Sequence, residues 1–442
     1  MSITRRNVLF SSVAGAVTGL FSGRGAEGQK ARSPRVDRVG IAARHSSGRA
    51  TVITPNVGPS LAYKMVGGVK EFHLTAELVR REFTKGFEVN CWGYNGSTPG
   101  PTIEAFEGDR VRILVTNKLP EGTSVHWHGF ILPNGMDGVS GLNQPKIAPG
   151  ETYAYEFTLK QTGTLMYHPH FDEMVQMAMG MQGFFIIHPR DAKVRPVDRD
   201  FAIFLNEWYI KPGTATPDPT VMLDFNTFTF NSRVFPGTDS LLVRTGDRVR
   251  LRIANLSMDS HPIHFHGHKF WITGTDAGPL PQSAWWSENT VNVPVGTTRD
   301  IEFVADNPGD WALHCHKTHH VMNQMGHDLP NLIGIDTAAT QQRLDALTPG
   351  TMVMGASGMG DMAEHLGSMA VPRNSIPMLG GVGPYGPIDM GGMFTILKIR
   401  DDLDYTRDPG WYRQPKGTAA WRVDSMSTTP AAKPSAHEGH GK

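Results

Sequence analysis

The sequence predicts an all-β protein built from two β-sandwich domains, with a Met-rich insertion towards its C-terminal end. One observation is a series of short segments that alternate apolar and polar residues, such as 110–116 (RVRILVT) and 152–157 (TYAYEF), punctuated by Gly, Pro and Asn. That period of two belongs to half-buried strands. The other is an internal duplication, in which GDRVRILVTN at 108–117 returns as GDRVRLRIAN at 246–255. A chain that repeats one strand and its flanking turn repeats the unit around it. With 442 residues and equal numbers of acidic and basic side chains, 42 each, the protein is neutral and long enough for two or three cores. No basic excess points to nucleic acid.

Taken in order, residues 1–26 read as a twin-arginine export signal. Arg5 and Arg6 precede a short apolar stretch too rich in Gly, Ala and Ser to span a membrane. The mature protein is therefore expected in the periplasm or outside the cell. Residues 45–190 form the first sandwich, and a charged stretch around Pro196, at 190–199, marks the boundary. Residues 200–336 form the second sandwich. From 337 to 393 the text turns to Met, Gly and Pro, including Met352, Met354, Met359, Met362, Met369, Met378, Met390 and Met393, and loops with one short helix are expected. Alternation returns at 394–400 (FTILKIR), a strand that rejoins a sheet, with an extension to 424. The tail, 425–442, has the composition of a disordered segment, and its His437 and His440 are read as solvated.

Four matched, non-overlapping His-x-His pairs stand between 126 and 316: His126 and His128, His168 and His170, His264 and His266, His314 and His316. With 19 histidines in the chain, chance supplies about one such pair. Residues i and i+2 of a strand share a face, so each pair aims two imidazoles one way, while Cys315 points away from its two neighbours. In each copy of the duplication a pair follows the repeated strand within about ten residues, and a second pair follows some forty to fifty later. Only the second copy has a cysteine inside a His-x-His pair. Imidazole and thiolate are copper ligands, and a His/Cys/His set with a weak axial Met marks a blue electron-transfer copper. A single histidine is more often a satisfied, partly buried imidazole, but that reading does not extend to a whole set in register. The other cysteine, Cys91, is read as a small buried residue.

The chain resembles the multicopper oxidases over nearly all of 45–336. The motifs are HWHG at 126–129, YHPH at 167–170, HPIHFHGH at 261–268 and HCH-x3-H-x4-M at 314–325, with NGSTPGPTI at 95–103 upstream. The resemblance implies two cupredoxin-like Greek-key domains and four coppers per subunit. It implies a type 1 copper on His261, Cys315 and His320 with Met325 as axial ligand, and a type 2 copper on His126 and His264. It further implies a type 3 pair, one ion on His128, His168 and His316, the other on His170, His266 and His314. Met393, in a Gly-Met pair before a closing strand, competes with Met325 for the axial place, and spacing favours Met325. Asp137 holds the family's place for a proton-relay acid, which makes it and Cys315 the candidate catalytic residues. The second relay position is Val321, leaving Asp172, Glu173 and Asp276 as substitutes. His268, His319 and His327 have no ligand role in the pattern.

Between Pro189 and the second copy there is no space for a middle domain. The chain therefore resembles the two-domain class with type 1 copper in the second domain only. That class implies a homotrimer, with each three-copper cluster shared by two subunits; the alternative is an intrachain cluster in a monomer. Dioxygen is the expected acceptor, with no nucleic acid partner and no membrane insertion. Thioethers suit cuprous ions, and Met174, Met177, Met179 and Met181 add a second cluster, so a cuprous donor is one reading. Oxidation of phenols or aromatic amines is the other, with methionine then serving as packing. Two different classes compete. A copper nitrite reductase-like enzyme needs only a three-histidine catalytic site, and a periplasmic copper-sequestering protein needs no type 1 cysteine.

Overall fold

The computed structural model describes residues 50–191, 193–324, 338–347, 373–378 and 380–422. The expected export signal, Met325, His327, Met352, Met354, Met359, Met362, Met369 and the tail lie outside the described residues. Apart from helices Glu173–Ala178 and Ala338–Leu347 and three 3-10 turns, the described elements are strands. No described helix is long and apolar enough to cross a membrane.

Four sheets carry the fold. In the first, the long strand Val69–Thr84 pairs with Lys64–Val66, Phe87–Tyr94 and Arg110–Asn117, and Thr152–Thr158 closes the far side. The second runs Ile103–Phe106, Gly183–His188, Gly163–His168, His126–His128. The third is centred on Arg199–Trp208, Arg248–Asn255, Thr297–Val304 and Phe270–Thr275. The fourth runs Leu241–Arg244, Phe394–Arg400, Gly309–Cys315, His261–Phe265, Thr290–Val293. The two duplicated strands occupy the same place in their sandwiches. Each is parallel to the strand before it and antiparallel to the one after.

The buried clusters give the stacking order. Phe72, Ile113, Trp127, Tyr167 and Phe185 fill the space between the first and second sheets. Met166, Phe184 and Ile186 of the second meet Ala202, Phe204 and Ala254 of the third. Phe201, Leu251 and Ile253 of the third meet Ile263, Leu313, Cys315 and Leu397 of the fourth. Each sheet thus buries alternate residues, and the second and third bury both faces, which is why Gly183–His188 and Arg199–Trp208 are buried along their whole length.

The turn that leads to the first His-x-His pair of each sandwich is held by the asparagine ending the repeated strand. Asn117 Nδ2 donates to the carbonyls of Glu121 and Ile147, and its Oδ1 accepts from Leu119 N. Asn255 repeats this with Asp259, Val293 and Ser257. One amide replaces three backbone partners that a buried turn lacks.

Between the second and third sheets the apolar contact is interrupted by a buried ion network. The Arg252 guanidinium grips Asp200 with two bonds, Nε to Oδ1 at 2.7 Å and Nη2 to Oδ2 at 2.9 Å. Its Nη1 donates to Thr164 Oγ1 at 2.6 Å, and that hydroxyl donates to Asp300 Oδ1 at 2.6 Å. Thr164 lies on the strand Gly163–His168, so the network ties the first histidine group to the second sandwich. Breaking a buried pair from one side strands the other charge. Arg252→Met should lower unfolding stability by about 3–5 kcal/mol in urea titration, whereas Arg80→Ala, which removes an exposed pair with Glu88, should cost under about 1 kcal/mol.

Candidate metal centres

Three buried side chains meet at the inner face of the fourth sheet. Cys315 is the cross-strand partner of Ile263 and points with it into the core. His261, two residues before Ile263, shares that face, and His320 arrives from the 3-10 turn Thr318–Val321. Cys315 Sγ lies 3.7 Å from His261 Nδ1 and 3.6 Å from His320 Nδ1, and the two nitrogens are 3.1 Å apart. An ion about 2.0 Å from each nitrogen and about 2.3 Å from sulfur requires edges of about 3.3–3.7 Å. The triangle fits a single ion to within a few tenths of an ångström. Phe228 stacks on His320 with centroids 4.0 Å apart and fixes the ring plane.

Burial sets the protonation of this site. It pushes the Cys315 thiol up to about 12 and depresses His261 to about 3 and His320 to about 2. Both imidazoles keep their lone pairs at any ordinary pH, whereas the thiolate forms in exchange for a cation. A thiolate with two imidazoles is a copper donor set. Met325 lies outside the described residues. Met393 is fully buried in the same core as Cys315; its carbonyl accepts from Cys315 N at 3.1 Å and its N–H donates to the His320 carbonyl at 3.0 Å.

The other eight candidate histidines fall into two groups of four. His126 and His168 are direct cross-strand partners, as are His264 and His314. The His126 ring lies 5.3–5.7 Å from those of His128, His168 and His170. The His264 ring lies 4.8–5.6 Å from those of His266, His314 and His316. Backbone carbonyls fix four tautomers. Nδ1 of His126, His168, His264 and His314 meets the carbonyls of Asp137, Pro169, Asn289 and Cys315 at 2.8–2.9 Å. A carbonyl only accepts, so each Nδ1 carries the proton and each Nε2 the lone pair. His168 Nε2 faces His128 Nδ1 at 3.2 Å, and His314 Nε2 faces His266 Nε2 at 3.1 Å. These are two of the pairs that the resemblance assigns to single ions. Burial, then the neighbouring imidazole, lowers His128 and His266, and burial holds His168 near 3.

The two groups do not share a face. Trp127 is buried in the first sandwich, so His126 and His128 project from the opposite side of the second sheet, where His128 lies against the turn at Gly296. Ile263, Phe265 and Leu313 are buried in the second sandwich, so His264, His266 and His314 project from the outer side of the fourth sheet. The third sheet lies between. Among the described residues, no three ligand atoms within 4.8 Å of one another combine histidines of both groups.

Acids flank the first group. Asp137 follows the turn Asn134–Met136, and its Oδ1 lies 3.5 Å from His126 Nδ1. Gly138 (φ +87°) lets that turn close, since a Cβ there would lie 1.8 Å from the Val125 carbonyl oxygen. Of the three substitutes for the second acid, Glu173 stands 3.7 Å from His168 Nδ1 and 3.8 Å from His170 Nε2. Asp276 pairs with Arg299 at 3.3 Å and its charge acts on His128, and Asp172 stands just before the helix Glu173–Ala178. His268 is stacked on Phe265, His319 is exposed, and Cys91 is buried beside Phe83 and Trp208.

Sequence reasoning passed over Glu207. Its side chain is 1% exposed, and Oε1 lies 3.5 Å from His261 Nε2 and 4.0 Å from His320 Nε2. Burial, then Asp259, pushes its carboxyl up to about 7. The available signal was an acid inside a largely apolar run, FAIFLNEWYI at 201–210.

Family models described as multicopper oxidase match residues 75–192 and 212–332, together over half the chain. Copper resistance protein A of Escherichia coli is 42% identical over 123 residues, 28% of this chain and 20% of that protein. Laccase-2 of Botryotinia fuckeliana is 30% identical over 305 residues, 62% of this chain and 49% of that one. The chain thus matches at most about half the length of these curated relatives. A blue copper oxidase from Nitrosomonas europaea shares the fold with a TM-score of 0.55 and 26% identity, over 74% of this chain and 85% of that chain.

Unfolded chains protonate histidine near pH 6.5, but folded copper-free protein protonates His168, His261 and His320 only near 2–3. The stabilisation this gives is complete above pH 6.5 and is lost as the pH falls towards the folded values. Urea unfolding of copper-free protein at pH 5 should show about 2 kcal/mol less stability per buried imidazole than at pH 7.5; an unchanged midpoint would contradict the buried neutral state.

Proposed function

We propose a specific reaction for this chain, which belongs to the multicopper oxidase family and is a copper-dependent oxidoreductase with oxygen as acceptor. The reaction is one-electron oxidation of an external donor coupled to four-electron reduction of dioxygen to water, with four coppers per subunit. His261, Cys315 and His320 would hold the type 1 ion, with Met325, which lies outside the described residues, as the methionine that spacing favours, and His126 and His264 would hold the type 2 ion. His128, His168 and His316 hold one type 3 ion, and His170, His266 and His314 the other. Copper held there supplies one-electron transfer at the thiolate site and dioxygen reduction at the three-ion site.

The observation that carries this reading is the position of Cys315. It is buried on the inner face of the fourth sheet, while the rings of His314 and His316 cluster with those of His264 and His266. One residue step in either direction along the backbone therefore joins the two sites covalently. A sequestering protein has no use for that link, and a nitrite reductase-like enzyme has no use for eight histidines. Asp137 and Glu173, beside His126 and the His168–His170 pair, are suited to carry protons to the reduced oxygen.

The two histidine groups face different sides of the layered fold, so the assignment needs two chains per cluster. A homotrimer satisfies it, with the first sandwich of each copy facing the second sandwich of the next and three such contacts closing a ring. Export by the twin-arginine signal at 1–26 would place that trimer in the periplasm or outside the cell. As donor, a cuprous ion is favoured, because Asp259 stands 3.8 Å from His320 and the exposed Met258 precedes it in the chain. The similarity to a copper resistance protein supports the same choice, and the similarity to a laccase supports a phenolic or aromatic amine donor instead.

Dioxygen uptake with a cuprous complex and with a phenol tests the reading. The wild type should bind four coppers per chain, show a blue band and consume oxygen with at least one donor. Cys315→Ser should lose the blue band and nearly all donor turnover while still binding copper at the histidine groups. Near-normal turnover in that variant, or two coppers per chain in the wild type, would contradict the assignment.

A further inference from the structure

The Glu207 carboxylate has one oxygen accounted for and one not. Oε2 accepts from the backbone N–H groups of Met258 at 3.0 Å and Asp259 at 3.1 Å. Oε1 is buried with no hydrogen-bond partner among the described residues, and so is His320 Nε2, 4.0 Å away. Both imidazoles of the type 1 site turn Nδ1 towards Cys315. A neutral imidazole that offers Nδ1 as ligand carries its proton on Nε2, and a buried N–H needs an acceptor.

The acceptors within reach differ for the two rings. His261 Nε2 lies 2.9 Å from Ser257 Oγ, whose own proton goes to Asn255 Oδ1 at 2.6 Å, so Ser257 can accept from His261. His320 has two carboxylates to choose from. Asp259 Oδ2 is 3.8 Å away but is 46% exposed and held by Lys317 at 3.1 Å. Glu207 Oε1 is 4.0 Å away, buried and uncommitted. The stacked Phe228 ring confines His320 to motion in its own plane.

We infer that Glu207 is a positioning residue for the type 1 site. Its Oε1 accepts the Nε2–H of His320, with that of His261 as second contact, and so fixes the tautomer and orientation of both ligands. Reaching hydrogen-bond distance needs an in-plane shift of about 1 Å. A carboxylate behind a ligating imidazole raises the ligand's basicity and favours the oxidised ion. This inference rests on the type 1 assignment above.

Copper-loaded Glu207→Gln decides it, because an amide must turn its NH2 either on the imidazoles or on the two backbone N–H groups. The one-electron reduction equilibrium should move at least tenfold towards the reduced form, about 59 mV for a one-electron couple, with changed nitrogen couplings in the electron paramagnetic resonance spectrum. Asp259→Asn should shift the potential several-fold less. Glu207→Asp keeps an acceptor but withdraws it, so it should shift the potential in the same direction by a smaller amount. That variant also serves if the Gln protein fails to load copper. A blue band with unchanged potential and couplings in the Glu207 variants, or an equal shift in Asp259→Asn, would overturn the inference while leaving the site assignment standing. Absence of a blue band from the wild type would instead overturn the assignment beneath it.

Discussion

Successive residues of a strand point to opposite faces of its sheet, and at residues 314–316 that alternation governs the chemistry open to the protein. Cys315 turns into a dry core where burial holds its thiol protonated until a cation arrives. His314 and His316 turn out, where His264 and His266 meet them. A one-residue slip of Gly309–Cys315 against His261–Phe265 would exchange the two faces and destroy both sites at once. The register is held on the other flank by Phe394–Arg400, six residues of which pair with Gly309–His314.

The stacking of the sandwiches follows from the same rule. Because the second and third sheets are buried on both faces, the first histidine group must project near their junction, and the second must project from the far side of the fourth sheet. The Arg252 network then fixes the sandwiches to one another through Thr164, on the strand that ends in His168. A network of this kind contributes less net stability than its bond count implies, since desolvation offsets most of the attraction. Its structural effect is a defined placement of the two groups, which keeps them on separate faces; in the proposed assembly a neighbouring copy completes the cluster.

Much of this was legible in the sequence. Alternation at 110–116 and 394–400 was enough to identify strands, and the duplicated GDRVR segments located two strands with the same place in their sandwiches. The His-x-His spacing said which imidazoles share a face, because that depends only on period two. Less legible were groups whose role depends on distance between strands far apart in the chain. Glu173 could not be separated from Asp172 and Asp276 by spacing, and only the helix after His170 brings it to two imidazoles at once. Glu207 was invisible as a site residue because an acid near the end of a strand has no periodic signature; its meaning comes from His261 and His320, over fifty residues away. The backbone bonds from Met393 to Cys315 and His320 likewise arise from a strand that returns after a long insertion.

The central claim is that one chain holds two incomplete halves of a three-copper cluster. Its most direct test is complementation between two inactive variants, His126→Ala with His128→Ala in the first group and His264→Ala with His266→Ala in the second. Each alone should reduce no dioxygen. Co-expressed in equal amounts, they should recover about a quarter of wild-type activity, because in a ring of random composition about a quarter of the contacts join an intact first group to an intact second. A mixture as inactive as its components would contradict the account and place the cluster within a single chain.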